Sequence, residues 1–175
     1  MSESRSSSTI DIGTFWRAMG ARAIGAAVVA ARDELGPAGF LALSATHLSA
    51  SPPVLMISIG LKTSALSAIR NSGHFSINYL AESDAALADS FGGKGPLKGA
   101  DRFDPARWGT LSTGAPILQG AVGALDCELD ETIERHATVI ALGRLVAYSL
   151  AGIGSAPLIS FAGQIGFHPN RSSAS

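Results

Sequence analysis

Apolar residues are arranged along this chain mainly in short extended runs. The runs Ala23 to Ala31, Gly39 to Thr46 and Val54 to Ile59 are rich in small and branched residues, a composition typical of buried neighbouring strands. Gly36-Pro37 and Pro52-Pro53 predict turns on either side of the middle run, because proline fixes φ and favours an extended residue before it. Three adjacent antiparallel strands with short connections are therefore predicted.

The second half of the chain continues the strand pattern. His74 to Leu80 alternates, Ala121 to Ile133 and His136 to Leu150 are long runs, and Pro157 to Phe161 is a last short one. Only Glu134-Arg135 separates the two long runs. This spacing predicts a β-hairpin with its turn at those two residues.

Helical spacing occurs in three short segments. Apolar residues recur at helical intervals over Ile10 to Gly20, with Asp11 at the position of an N-terminal cap. A second helix is predicted to end at Gly73, because glycine favours the left-handed conformation that closes helices. A third is predicted over Ser83 to Phe91, capped by its first serine.

The segment from Gly92 to Gly109 has no periodicity and is heavy in Gly, Lys and Arg, which predicts a long surface loop. Trp108 is expected to anchor this loop to the core. Taken together, six to eight strands and a few short helices predict a mainly β fold, an antiparallel barrel that is closed or nearly closed. An α+β sandwich is the alternative.

Composition adds an expected interface and excludes some partners. Apolar residues make up 46% of the chain and charged residues 15%, so a lone domain would expose apolar surface and a homodimer is expected. A net charge of -1 without a basic stripe argues against nucleic-acid binding. No segment has the pattern of a membrane anchor or signal peptide, and the single Cys127 fits a reducing cytoplasm.

Domain limits follow from the polar ends. Residues 1–8 are rich in serine and predict a flexible N-terminal arm, 9–168 form one domain, and 169–175 form a flexible tail.

Two segments carry candidate chemistry. The stretch from Gly36 to Pro53, GPAGFLALSATHLSASPP, combines hydroxyl side chains with small residues, which suits a flat polar ligand and equally a tight strand pair. Lys62, Thr63 and Ser64 stand at the start of the predicted second helix. Free N–H groups, the helix dipole, two hydroxyls and an ammonium group would bind a phosphate, although a simple helix cap is an equal alternative.

Six segments in this order resemble the flavin reductase-like family, the FMN-binding split barrels that include reductase components of two-component monooxygenases. They are FWRAMGARAIGAAVVAA, GPAGFLALSATHLSASPP, TSALSAIRNSGHFSINYL, DRFDPARW, GAPILQGAVGALDCEL and ERHATVIALGRLV. The resemblance covers nearly the whole chain. It implies an antiparallel split β-barrel with a few short helices, forming a homodimer that binds FMN or FAD near the subunit interface.

The resemblance also implies roles for particular residues. It places Leu41, Ala42, Leu43 and Ser44 along the isoalloxazine ring, and Thr46 and Ser49 toward the ribityl chain and phosphate, with His47 within reach of that phosphate. It places Lys62, Thr63 and Ser64 on the phosphate itself. Arg102 and Phe103 fall in the loop that approaches the flavin, and His136 falls near the nicotinamide.

This sequence departs from the family pattern at both ends of the implied site. Leu41-Ala42-Leu43-Ser44 stands where Thr-Ala-Ser-Ser is common, so fewer side-chain hydrogen bonds to the ring are expected. Glu134-Arg135 replaces the usual Gly-Asp before the histidine. Arg135 either selects a phosphorylated or acidic partner or pairs with Glu134.

The implied function is an NAD(P)H-dependent flavin reductase that supplies reduced FMN or FAD to a partner monooxygenase, with NADH or NADPH as hydride donor. Two alternatives stay open: a flavin-binding module without turnover, and an FMN-dependent reductase of another acceptor such as a corrinoid or a ferric chelate.

Overall fold

The computed structural model describes residues 10–151 and 154–166. The predicted arm 1–8 and tail 169–175 lie outside the described residues. The helices are α1 Ile12–Met19, α2 Ser64–Ser72 and α3 Ala85–Phe91, with 3-10 turns at Glu82–Asp84 and Gly99–Arg102. The strands are β1 Ile24–Gly25, β2 Ala27–Asp33, β3 Gly36–Ala42, β4 Thr46–Ala50, β5 Pro53–Gly60, β6 His74–Tyr79, β7 Trp108–Gly109, β8 Ile117–Leu118, β9 Gly123–Arg135, β10 Thr138–Leu150, β11 Ile159–Phe161 and β12 Gln164–Ile165.

The main sheet has seven antiparallel strands in the order β3-β2-β6-β9-β10-β5-β4. Its two edge strands, β3 and β4, are consecutive in the chain and joined only by residues 43–45. A flat sheet of this size is about 29 Å wide at ~4.8 Å per strand, whereas the chain from Ala42 to Ala45 and on into β4 reaches at most ~14 Å. The sheet must therefore curl into a barrel that is split between its two edges.

This topology confirms the predicted mainly β, antiparallel split barrel, and the sandwich alternative is wrong. Two small sheets accompany the barrel: β1-β11-β12, and the pair β7-β8. Among the described residues, no helix is both long and apolar enough to cross a membrane.

Both faces of β2 are buried, as its continuous apolar run predicts. Ala27, Val29 and Ala31 lie in the cluster inside the barrel, and Val28 and Ala30 lie in a second cluster outside it, beneath α3 and the following loop. Residues of alternating direction along one strand thus join two separate cores. The wall of the barrel is fixed from both sides.

A close approach inside the barrel requires Gly143 on β10. A Cβ atom at this position would lie 2.4 Å from Cζ of Phe75 and 2.9 Å from Cβ of Cys127. The absence of a side chain at Gly143 leaves the space that the ring of Phe75 occupies, and the β9–β10 register shifts at the same point, between Leu142 and Gly143.

The predicted helix ends are mostly confirmed. Asp11 Oδ1 accepts a hydrogen bond from Thr14 N at 2.9 Å, and this bond lowers the pKa of the Asp11 carboxyl. Gly73 ends α2 with φ 72°. The predicted Ser83 cap is wrong: a 3-10 turn precedes α3, and Asp84 Oδ2 instead accepts from Ala81 N at 3.2 Å.

Three predicted strand limits are wrong. The first run breaks at Ala26, since β1 pairs with β11 and β2 enters the barrel. The run Gly39 to Thr46 breaks at residues 43–45, where the chain crosses the split. The hairpin turn lies at His136-Ala137, and Glu134-Arg135 instead forms the last two residues of β9.

The loop 92–109 contains short regular pieces, the 3-10 turn and β7. Phe103 and Trp108 are 7% and 8% exposed and pack on Phe91 with ring centroids 5.1 and 5.8 Å away. The prediction that Trp108 anchors this loop to the core is confirmed.

Candidate functional site

A cleft of about 800 Å³ lies on the outer face of the barrel, at its split. This volume is in the range of ~300–1,000 Å³ that small-molecule sites occupy. Residues from four parts of the fold line it: Phe15, Trp16, Met19, Gly20, Arg22 and Ile24 from α1 to β1; Leu41, Leu43 and Ser44 from β3 onward; Ser58, Gly60 and Thr138 from β5 and β10; and Ser160, Phe161, Ala162 and Gly163 from β11 onward.

Strand β3 presents backbone groups as well as apolar side chains to the cleft. It pairs only with β2, and its Gly39 carbonyl accepts a hydrogen bond from Arg102 across the free edge. By the two-residue period of a strand, the N–H and C=O of Leu41 also point away from β2. Ala42, in contrast, is 3% exposed and faces the inner core, so its side chain does not line the cleft.

Ser44 joins the two sides of the split. Its hydroxyl accepts a hydrogen bond from Ser58 N at 3.3 Å and donates to Ser58 O at 3.4 Å. Ser44 therefore fixes residues 43–45 against β5, and its hydroxyl already has two partners within the chain.

The sequence interpretation missed the aromatic wall of the cleft. Phe15 and Trp16 of α1 are 47% and 64% exposed, and their rings stand edge to face with centroids 5.1 Å apart. None of the residues of α1 is buried. An amphipathic helix whose apolar face finds no core indicates a binding wall, but this can be recognised only when the burial of each residue is known.

The predicted anion segment begins next to the cleft. Gly60 lines the cleft, and a Cβ atom there would lie 3.4 Å from Thr63 Oγ1. Thr63 occupies the N-cap position of α2, yet its side chain makes no capping hydrogen bond. Lys62 is exposed. The hydroxyl, the ammonium group and the first N–H groups of α2 are thus available to an anion.

The tip of the β9–β10 hairpin lies beside that segment. Leu61 N donates to Ala137 O at 3.2 Å, which brings His136 close to the start of the Lys62-Thr63-Ser64 segment. His136 is exposed and has φ 53°, a left-handed conformation in which histidine occurs more often than most residues.

Arg102 and Phe103 do not line the cleft. The guanidinium group of Arg102 donates to Gly39 O at 3.1 Å and to Gly99 O at 3.2 Å, and lies 4.5 Å from the ring centre of Phe91. Burial lowers the pKa of Arg102. Since Phe103 is in the aromatic cluster, both residues hold the loop against the edge of β3.

The predicted β4 residues lie on the other side of the split. Thr46 pairs with Met56, and His47 pairs with Leu55, so these two neighbours point to opposite faces. Ser49 Oγ accepts from Ser51 N at 3.2 Å within the turn. These three side chains are not among those that line the cleft.

The electrostatic character of the cleft favours a neutral or anionic ligand. Among the described residues that line it, Arg22 is the only charged one. Within residues 10–151 and 154–166, no three His, Cys, Asp or Glu side chains are grouped as metal ligands. The arrangement offers apolar stacking surface, backbone hydrogen bonds and positive potential.

Comparisons with known proteins agree with this geometry. A relative from Enterobacter sp. (strain 638), named FMN reductase (NADH) RutF, is 32% identical over 126 residues, 72% of this chain and 76% of that protein. The protein of the same name from Ancylobacter novellus is 40% identical over 99 residues, 57% of this chain and 54% of that relative. The match thus spans about half the length of the latter.

Solved structures give the same result. The flavin reductase of styrene monooxygenase from Pseudomonas putida S12 superimposes with a TM-score of 0.75 at 26% identity, covering 86% of this chain and 94% of that one. The family model described as "Flavin reductase like domain" matches residues 19–167. With the split barrel and its cleft, this match shows that the chain belongs to the flavin reductase-like domain family.

Proposed function

We propose that this protein is an NADH-dependent flavin reductase that binds FMN in the cleft and reduces it. The observation that carries the proposal is the cleft itself, an apolar groove between the free edge of β3 and the aromatic wall of α1, with an uncapped helix start next to it. The names of the Enterobacter and Ancylobacter relatives support FMN and NADH as the reactants.

The described residues fit a flavin. The isoalloxazine ring would lie against Leu41 and Leu43, whose backbone groups would replace the hydroxyls missing from their side chains. The 5′-phosphate would occupy the start of α2, where Lys62 and Thr63 contribute an ammonium group and a hydroxyl.

When bound, a flavin would supply the redox chemistry, a hydride passing from the C4 carbon of the nicotinamide to its N5. The tasks of the protein are then binding, orientation and exclusion of water. Leu41 and Leu43 present an apolar surface to one face of the cleft, and Phe15 and Trp16 of α1 present another. Holding two planar reactants in register contributes several kcal/mol to the rate by orientation alone. His136 at the hairpin tip is proposed to contact the nicotinamide.

Assembly and partners follow from the surface and the relatives. Ile12, Trp16 and Leu150 are each more than 60% exposed, which supports a homodimer that covers apolar surface. The Pseudomonas structure is a component of a monooxygenase, and this supports a partner oxygenase that consumes the reduced flavin.

Two measurements test the proposal. Purified protein should bind FMN, seen as a change in its visible spectrum, and should oxidise NADH when FMN is supplied. Lys62→Glu should weaken FMN by about tenfold and leave riboflavin nearly unaffected, because only FMN has a phosphate for the new carboxylate to repel. Equal losses for both flavins would refute the phosphate position, and binding without NADH oxidation would indicate a flavin-binding module instead.

A further inference from the structure

The cation of Arg135 lies on the same face of the sheet as the cleft. Arg135 is directly opposite Thr138 in the β9–β10 ladder, and Thr138 is directly opposite Gly60 in the β10–β5 ladder. Residues opposite each other in antiparallel strands share a face of the sheet. Since Gly60 and Thr138 line the cleft, Arg135 is the next residue of the same row, at the rim.

In the part of the chain that the structure describes, no acidic side chain compensates the charge of Arg135. Its Nη1 donates to the backbone carbonyl of Glu134 at 2.7 Å. The carboxylate of Glu134 faces the other way and lies 3.7 Å from Arg70 of α2. Among the described residues, no carboxylate is within ion-pair distance of Arg135. The predicted alternative, that Arg135 pairs with Glu134, therefore holds only for the backbone carbonyl, and the Glu134 carboxylate does not neutralise the guanidinium group.

The surroundings strengthen the positive potential at this rim. The hairpin tip is joined to the segment before Lys62 by the Leu61–Ala137 hydrogen bond, and the lining of the cleft contributes Arg22 without an acidic residue. A guanidinium group presents paired donors that match two oxygens of one phosphate. We propose that Arg135 is an anion-binding residue at the rim of the cleft and that it recognises a phosphate group of a bound nucleotide.

The inference rests on the proposed function for the identity of the nucleotide, and two sources can provide the phosphate. One is the 5′-phosphate of the flavin, and the other is a phosphate of the nicotinamide dinucleotide. The ligand chemistry is the same, so the experiment must distinguish them.

The experiment compares Arg135→Gln with Arg135→Lys and with the control Arg32→Gln. Arg32 is exposed on β2, outside the cleft lining, so its replacement removes the same charge elsewhere. The melting temperature of each variant shows that it folds. Titrations with FMN and riboflavin, and KM values for NADH and NADPH, are measured at low and at 0.5 M salt.

Arg135→Gln should weaken one phosphate-bearing ligand by about fivefold, the upper range for an exposed ion pair, and Arg135→Lys should recover part of the loss. A loss for FMN without a loss for riboflavin assigns the contact to the flavin phosphate. A raised KM for the dinucleotides at unchanged flavin affinity assigns it to their phosphates, and the difference should shrink in high salt.

Values for Arg135→Gln equal to those of Arg32→Gln in an active enzyme would overturn this inference alone. Wild-type protein that neither binds flavin nor oxidises NADH would overturn the proposed function and the inference with it.

Discussion

Replacing Arg102 distinguishes a residue that binds flavin from one that holds the site in shape. The resemblance implied that Arg102 helps to bind the flavin. In the structure its guanidinium group instead donates hydrogen bonds to Gly39 O and Gly99 O and stacks over the ring of Phe91. We expect Arg102→Met to keep the packing of the aliphatic stem and to lose the two hydrogen bonds and the cation–π contact.

The cost can be worked out from these contacts. The part-buried hydrogen bond to Gly39 O contributes about 1 kcal/mol net, and the exposed bond to Gly99 O contributes about 0.5 kcal/mol. The ring contact adds ~0.5 kcal/mol at a partly exposed site. The free energy of unfolding should therefore fall by about 2 kcal/mol, which lowers the melting temperature by about 4–8 °C for a chain of this size.

The assay is thermal unfolding of the protein without flavin, followed by FMN titration. The control is Arg144→Met, which removes the half-exposed ion pair with Glu128 and should cost less than about 1 kcal/mol. If Arg102→Met melts at the wild-type temperature but binds FMN tenfold more weakly, Arg102 is a direct ligand and the reasoning from its contacts is refuted.

Three further predictions concern the barrel itself. Gly143→Ala should destabilise the protein by about 1–3 kcal/mol in urea unfolding, because its methyl group would collide with Phe75; an unchanged midpoint would show that the ring can move away. Burial raises the pKa of the Cys127 thiol to about 12 from 9.0. Above pH 9 the unfolded chain therefore loses this proton before the folded chain does, and the free energy of unfolding falls by up to about 1.4 kcal/mol per pH unit. Cys127→Ala should show a shallower decline of stability with pH, and a slope identical to that of the wild type would contradict this explanation. Ser44→Ala should lower the free energy of unfolding by about 1 kcal/mol, because it leaves the Ser58 backbone without its partner across the split. If the variant loses more free energy of FMN binding than free energy of unfolding, the hydroxyl also contacts the flavin.

Local patterns were sufficient to predict the type of most elements. The buried run in β2, the cap at Asp11 and the glycine that ends α2 each depend on neighbours within a few residues. Two of the wrong strand limits, at Ala26 and at residues 43–45, depend on distant partners. The break at residues 43–45 exists because β3 and β4 take opposite edges of the sheet, and the alternation of apolar residues contains no information about edges.

In the candidate site, too, some residues were predictable from the local sequence and others were not. Leu41, Leu43 and Ser44 were found through their place in one stretch of sequence, and the structure puts all three at the cleft. The aromatic wall of Phe15 and Trp16 was missed, because the spacing of α1 is equally that of a helix packed on a core. Only its lack of buried residues separates the two cases.

The position of the cleft follows from how the barrel ends. A strand at the edge of a sheet leaves N–H and C=O groups without partners, and proteins must cover or use them. On β3 the carbonyl of Gly39 is covered by Arg102, and at the split Ser44 covers the backbone of Ser58. Between these two contacts the backbone of Leu41 faces the cleft. A planar ligand with a polar edge would complete this part of the edge, so the proposed flavin site lies where the sheet fails to close.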